Sequence, residues 1–267
     1  DYGHPGAFEW QAPEKPEEGL VWRGIVEQID VPGSSNNWVS VDDLGRVGLF
    51  DKQPWILAAG GLELVEQLNI AAAAKLKAVV EEIGAGAVTR EDDAYMVGAG
   101  ALRRAGITEA HERELVEGGA VRDYLIDGAE PSLWPYREET LEPDAPEEVR
   151  RFLWPMRRYL VDRVAFGKSQ LDRGLHWFEY SMFFRRRYSP DATIAFPFVS
   201  THNHFSLNRI SRVFIRTAPV LVLPAGTTEE EHVRLLGLLN SSTAGFWLKM
   251  VSHDKGSQGV NEGYKSQ

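Results

Sequence analysis

The spacing of apolar residues changes several times along this chain, and each change predicts a different local structure. Residues 1–19 carry Pro, Gly and Glu without apolar periodicity and predict an extended lead-in. Between Val21 and Val47, short apolar pieces alternate with turn signals such as Val31-Pro32-Gly33-Ser34-Ser35-Asn36-Asn37. This predicts a small antiparallel element, with Trp38-Val39-Ser40-Val41 as a strand. After Gly60-Gly61, apolar residues recur at helical spacing from Leu62 to Ile83, Ala71 to Ala74 add helix propensity, and Gly84 stops the predicted helix. Residues 87–127 mix the two patterns, with Ala120 to Ile126 as a short strand.

The stretch Glu130 to Glu147 contains Pro131, Pro135, Pro143 and Pro146 and reads as an acidic linker. Beyond it, Val149, Phe152, Leu153, Leu160 and Val161 predict a helix over 147–163 that Pro155 kinks or splits. Strand-like segments follow at Thr193–Ser200, Arg212–Ile215 and Val220–Leu223. A last helix starts near Thr228, a good N-cap with Glu229, Glu230 and Glu231 in the first turn. The pattern predicts an α+β chain of small mixed sheets packed with helices. Its subdomains are an acidic one over 20–146, a scaffold or interaction surface, and a basic one over 147–267.

Composition narrows this picture. With 267 residues, 43% of them hydrophobic, and 8 Trp, 8 Tyr and 12 Phe, the chain can bury a sizeable core and is not disordered. The absence of cysteine excludes disulfides and Cys-based zinc sites and fits a cytoplasmic location. No apolar run approaches the roughly 18–20 residues that cross a bilayer, so no membrane partner is expected. The sequence begins at Asp1 rather than Met and ends in a polar stretch, which suggests a piece of a longer protein.

The net charge of −10 hides a strong asymmetry. Residues 1–146 hold 12 Lys and Arg against 28 Asp and Glu, whereas residues 147–216 hold 13 against 6. Affinity for phosphates follows local potential, so the basic block remains a candidate for polyanion contact.

Catalytic signatures are missing. Transfer of a methyl group to a base amino nitrogen needs a turn of the Asn/Asp-Pro-Pro-aromatic type, and the chain contains no Pro-Pro dipeptide. Gly84-Ala85-Gly86 and Gly98-Ala99-Gly100 are the candidates for a cofactor-binding Gly-rich turn, and both read better as helix stops or turns. No Gly-x-Ser-x-Gly elbow occurs. His202-Asn203-His204 would place two imidazoles on one face of a strand, but a metal site would also need His176, His253 or Asp254 brought close by folding. Asp42-Asp43 and Asp92-Asp93 lack an accompanying His for a metal-dependent nuclease. No catalytic, cofactor-binding or metal-binding residue is therefore assigned.

Residues suited to double-stranded DNA are better represented. Arg185-Arg186-Arg187-Tyr188 sets three guanidiniums beside a turn at Ser189-Pro190-Asp191, and Arg209, Arg212 and Arg216 extend the positive surface. Arg suits phosphate and guanine, Asn suits adenine, and Thr or His can bond base edges. The DNA-contact candidates are Arg185, Arg186, Arg187, Thr201, His202, Asn203, His204, Arg209, Arg212 and Lys255, with some of the arginines pairing instead with the acidic half. In Leu235-Leu236-Gly237-Leu238-Leu239-Asn240-Ser241-Ser242, the leucines should bury an apolar face and Asn240 should bond backbone.

Taken together, these segments resemble one family. Thr201-His202-Asn203-His204-Phe205, Ala218-Pro219-Val220, Leu223-Pro224, Leu236 to Thr243 and Phe246-Trp247-Leu248-Lys249 are similar to the C-terminal part of PglX-type adenine-specific DNA methyltransferases of bacteriophage-exclusion (BREX) systems. Arg151-Phe152-Leu153-Trp154-Pro155, Arg173-Gly174-Leu175, Trp177-Phe178-Glu179-Tyr180, Pro54-Trp55, Gly60-Gly61 and Ile83-Gly84-Ala85 fit the same resemblance. It implies a target-recognition region without catalysis. The family's S-adenosylmethionine and Asn-Pro-Pro-Tyr-type motif belong to a Rossmann-like domain that this chain does not match. The alternative expectation is an interaction module, docking another defence component or a phage inhibitor through its acidic half.

Overall fold

The computed structural model describes residues 16–43, 47, 55–56, 61–188, 192–254 and 264–265. The chain divides into two compact units, Asp1–Leu62 and Glu63–Gln267. In the first, Leu20–Gln28 is a helix where short strands were expected. Gly24 does not break the helix; it is its one buried residue and leaves room for a hairpin, since a Cβ there would touch Asn36 and Val39. The hairpin pairs Ser34–Ser35 with Ser40–Val41. The predicted Trp38–Val41 strand is shortened because Asn36 Oδ1 accepts from the backbone N–H groups of Trp38 and Val39, both at 2.8 Å, drawing them into the turn.

The second unit is an α+β assembly of several small sheets. A four-stranded antiparallel sheet runs in the order Ser206–Asn208, Thr193–Ala195, Val220–Val222, Glu82–Gly84. Its central strands, Thr193–Ala195 and Val220–Val222, are buried throughout, so both faces are covered. On one face Ile194 and Leu221 pack with Phe205, Leu223 and Leu236 beneath the helix Glu229–Leu239; on the other Ala195, Val220 and Val222 pack with Val116, Val121 and Phe214. A three-stranded sheet sets Arg212–Phe214 parallel to Glu112–Val116, which pairs antiparallel with Glu130–Leu133. Among the described residues, no sheet has Rossmann topology.

Two expectations are corrected here. The helix predicted over 62–83 ends at Ala71; a short helical piece Leu76–Val79 follows, and Glu82–Gly84 becomes a strand on Val220–Val222. Tertiary pairing overrides the alanine-rich propensity. The Pro-rich stretch 130–147 is not a linker either. Its Glu130–Leu133 is an edge strand, where Pro131 is tolerated, and Leu133, Trp134 and Tyr136 lie at the centre of the main core. Strand pairing therefore crosses the boundary expected at 146/147, and the chain divides at 62/63 instead.

The predicted helix over 147–163 forms as Glu147–Leu153 and Arg157–Asp162 with a 3-10 turn Trp154–Met156 at Pro155. Beyond it the chain is organised by a buried cation. Arg163 donates to the carbonyls of Leu160 (2.9 Å), Thr89 (2.6 Å), Trp177 (3.0 Å) and Glu179 (2.7 Å). Tyr95 Oη also donates to the carbonyls of Phe178 and Glu179, and burial pushes its pKa up to about 12. Around these bonds, Trp134 stacks on Tyr188 at 4.7 Å and meets Phe183 edge-on at 5.2 Å.

Candidate nucleic-acid interface

Residues Thr201–Phe205 form the loop between strands Val199–Ser200 and Ser206–Asn208, and two asparagines fasten it to the C-terminal helices. Asn240 Oδ1 accepts from the Phe205 N–H at 2.9 Å, and its Nδ2 donates to the Phe205 carbonyl at 2.8 Å. Asn203 Nδ2 donates to the carbonyls of Leu239 (2.7 Å) and Ser241 (3.0 Å), closing the end of helix Glu229–Leu239. Gly245 makes room for the Asn203 amide, since a Cβ there would lie 2.7 Å from Asn203 Oδ1. The two segments singled out in the sequence thus interlock. Asn240 bonds backbone as expected, and the donors of Asn203 are engaged inside the protein.

The remaining loop side chains differ in freedom. His204 Nδ1 lies 2.8 Å from Asp123 Oδ1, and Tyr124 N–H donates to the Phe205 carbonyl. Thr201 Oγ1 lies 2.9 Å from His202 Nδ1, and the His202 ring is exposed. The segment is a loop rather than a strand, and the two imidazole centroids are 5.9 Å apart. Among the described residues no group of three or more His, Asp or Glu side chains is placed to hold a metal. The loop, Gly245, Leu248 and Lys249 line a pocket of about 30 Å³. That is room for one or two ordered waters.

All five arginines chosen from the sequence meet carboxylates. Arg187 Nε donates to Glu82 Oε2 at 3.0 Å, and Arg212 Nε to Glu114 Oε2 at 2.5 Å; their side chains are only 22% and 20% exposed. Arg185 pairs with Glu142 at 3.1 Å, Arg186 with Glu82 at 3.7 Å and Arg209 with Glu229 at 2.7 Å, all three with well-exposed guanidiniums. Exposed pairs of this kind contribute about 0–1 kcal/mol and exchange partners readily, whereas the half-buried pairs are fixed. Lys255 lies outside the described residues. Arg216 and Lys249 are exposed and without an ion-pair partner among the described residues.

The Gly84-Ala85-Gly86 turn is filled by the protein itself. Gly84 has φ of +145°, and a Cβ there would fall 2.6 Å from an Arg187 guanidinium nitrogen. Arg187 Nη1 also donates to the Ala85 carbonyl. The turn carries a strut between strands. Downstream, Thr228 and Glu231 form the reciprocal cap of helix Glu229–Leu239, and the hydrogen bonds from Thr228 hold the Glu231 carboxyl below its usual range.

No protein-family model matches the chain. In fold it is similar to the type IIL restriction-modification enzyme MmeI, solved in complex with DNA, with a TM-score of 0.50 at 11% identity over 73% of this chain and 24% of that one. In sequence it is 46% identical over 254 residues to the adenine-specific methyltransferase PglX of Streptomyces coelicolor. That match covers 94% of this chain and 21% of the Streptomyces protein, so the chain spans about a fifth of the length of its relative. Over 94% of its length, the chain is similar in sequence to part of that adenine-specific methyltransferase.

Proposed function

We propose that this chain is the DNA target-recognition region of a PglX-like, site-specific adenine-N6 DNA methyltransferase of a BREX phage-defence system. It supplies DNA binding and sequence specificity. Methyl transfer and S-adenosylmethionine belong to another part of such an enzyme, since the sequence has no Pro-Pro turn and Arg187 fills the Gly84 turn. The observation that carries this reading is the fold shared with MmeI, a restriction-modification enzyme solved on DNA, in a chain 46% identical to PglX.

In this reading Thr201 and His202, at the exposed part of the fastened loop, read base edges. Arg185, Arg186 and Arg209 exchange their surface glutamates for phosphates, Arg216 and Lys249, without an ion pair among the described residues, add further cations, and Lys255 follows in the sequence. Arg187, Arg212 and Asn203 hold the surface in shape, and His204 is steadied by Asp123. Docking of a protein through the acidic half is less well supported, because Glu82, Glu114 and Glu142 already bind arginines of the same chain.

The test is fluorescence anisotropy on a mixed-sequence duplex at about 50 and 200 mM salt, with an Arg185→Ala/Arg186→Ala/Arg209→Ala variant beside the parent protein. Salt-sensitive binding, with a slope lower by about 2–3 in the variant, is expected from the loss of up to three phosphate contacts. Absence of salt-sensitive binding would overturn the reading.

A further inference from the structure

The helical stretch 147–162 has a second face that the apolar pattern does not describe. Val149, Leu153 and Leu160 point into the core. Arg150 and Arg151 lie in the helix Glu147–Leu153, Trp154 opens the 3-10 turn, and Arg157 and Arg158 open the helix Arg157–Asp162; all five are exposed. Arg150, Arg151 and Arg157 have no ion-pair partner among the described residues. Arg158 reaches Asp162 only at 3.9 Å, with both side chains largely in solvent. The Arg157 guanidinium lies over Trp154 at 5.2 Å and over Trp177 at 5.7 Å, and the two indoles meet edge-on at 6.2 Å. This contrasts with Arg185, Arg186, Arg187, Arg209 and Arg212, each of which faces a carboxylate.

We propose that this basic and aromatic face is a second, sequence-independent surface for the phosphate backbone of duplex DNA, distinct from the Thr201–His204 loop. The proposal rests on the DNA-recognition reading and extends it to a part of the chain built on a different core. From Arg150 to Arg158 the chain rises about 12–14 Å, at about 1.5 Å per α-helical residue and about 2.0 Å through the 3-10 turn. One DNA strand presents a phosphate about every 3.4 Å of axis, so the stripe matches three to four phosphates, the number of its arginines. Four like charges on one face repel one another, and a polyanion lying along the stripe relieves that repulsion. The Trp154–Arg157–Trp177 stack fixes one guanidinium in place, which lowers the ordering cost of its phosphate contact.

The experiment replaces Arg150, Arg151 and Arg158 in the protein (Arg150→Gln/Arg151→Gln/Arg158→Gln), leaving the stacked Arg157. Binding to a mixed-sequence 30-base-pair duplex is followed between about 50 and 200 mM salt. Loss of three phosphate contacts lowers the log–log salt slope by about 2.7, so the fall in affinity across this range shrinks by about 40-fold. The matching triple Lys variant, which keeps the charges, retains the parent slope. If the parent protein binds with a steep slope and the Gln variant is indistinguishable, the stripe is refuted while the DNA-recognition reading stands. If the parent protein shows no salt-sensitive duplex binding, both are refuted. If the Gln variant loses affinity for phosphatidylglycerol vesicles but not for duplex, the stripe serves a lipid surface and the proposal fails.

Discussion

Asn240 binds both backbone groups of Phe205, accepting its N–H at 2.9 Å and donating to its carbonyl at 2.8 Å. One side chain thereby replaces a strand partner at the end of the Thr201–Phe205 loop. Asn240→Ala removes both bonds and leaves the Phe205 N–H unserved, while the Tyr124 N–H still serves the Phe205 carbonyl, and costs about 1–3 kcal/mol. Asn240→Asp keeps the acceptor but not the donor and loses a comparable amount through the carboxylate facing a carbonyl. Urea unfolding checks this; a change within about 0.5 kcal/mol for Asn240→Ala would show that the pair does not fasten the loop.

Arg163 is a buried guanidinium served by four carbonyls rather than by an acid. Arg163→Met removes the charge but strands the carbonyls of Thr89 and Trp177, while Tyr95 still serves Glu179, and a loss of about 3–5 kcal/mol is expected. Far-UV circular dichroism and denaturant midpoints measure it. A mild effect would mean that water takes over the carbonyls.

Much of this architecture was legible in the sequence, and what was missed shares one physical cause. The N-cap at Thr228, the break at Pro155 and the backbone role of Asn240 are local signals, and each forms as read. Glu82 and Ile83 read as the end of a helix with Gly84 as its stop, because the strand's partner, Val220–Val222, lies far away in the chain and leaves no trace in the local pattern. Trp134 and Tyr136 were read as linker because four nearby prolines mask a strand whose edge position tolerates Pro131. For the candidate interface, the sequence displays the residue types but not the partners that the fold gives them. Asn203 looks like an adenine reader in sequence, yet its donors face Leu239 and Ser241; Arg187 and Arg212 look like phosphate ligands, yet each braces a glutamate from a distant strand.

Phe166 stands at φ +53° beside Gly167 at φ +75°, in the two-residue turn between strands Val164–Ala165 and Lys168–Ser169, and its side chain is 86% exposed. Such turns favour Asn-Gly, and a bulky residue at positive φ is strained. Phe166→Asn relieves that strain and exposes almost no new core. A gain of about 1 kcal/mol follows, seen as a melting temperature higher by about 2–4 °C. A lower melting temperature would show that Phe166 contributes packing.

Burial raises the pKa of the Glu179 carboxyl, opposed by the hydrogen bond from His176 N–H at 2.6 Å. The folded state therefore holds this proton more tightly than the unfolded chain. Stability contributed by the group falls as pH rises from the ordinary glutamate value through the raised one, and stays lower above it. Glu179→Gln has no such titration. Its stability relative to the parent should increase across that window and level off at neutral pH, measured by urea unfolding in a pH series. Parallel curves would contradict the raised pKa.

The central claim is that this chain carries target specificity. Its most direct test exchanges the region between two PglX-like enzymes that methylate different sequences, followed by sequencing of the modified adenines. The account predicts that the methylated sequence moves with the exchanged region while methyl transfer persists. A methylated sequence that stays with the rest of the enzyme, in active chimeras, would contradict it.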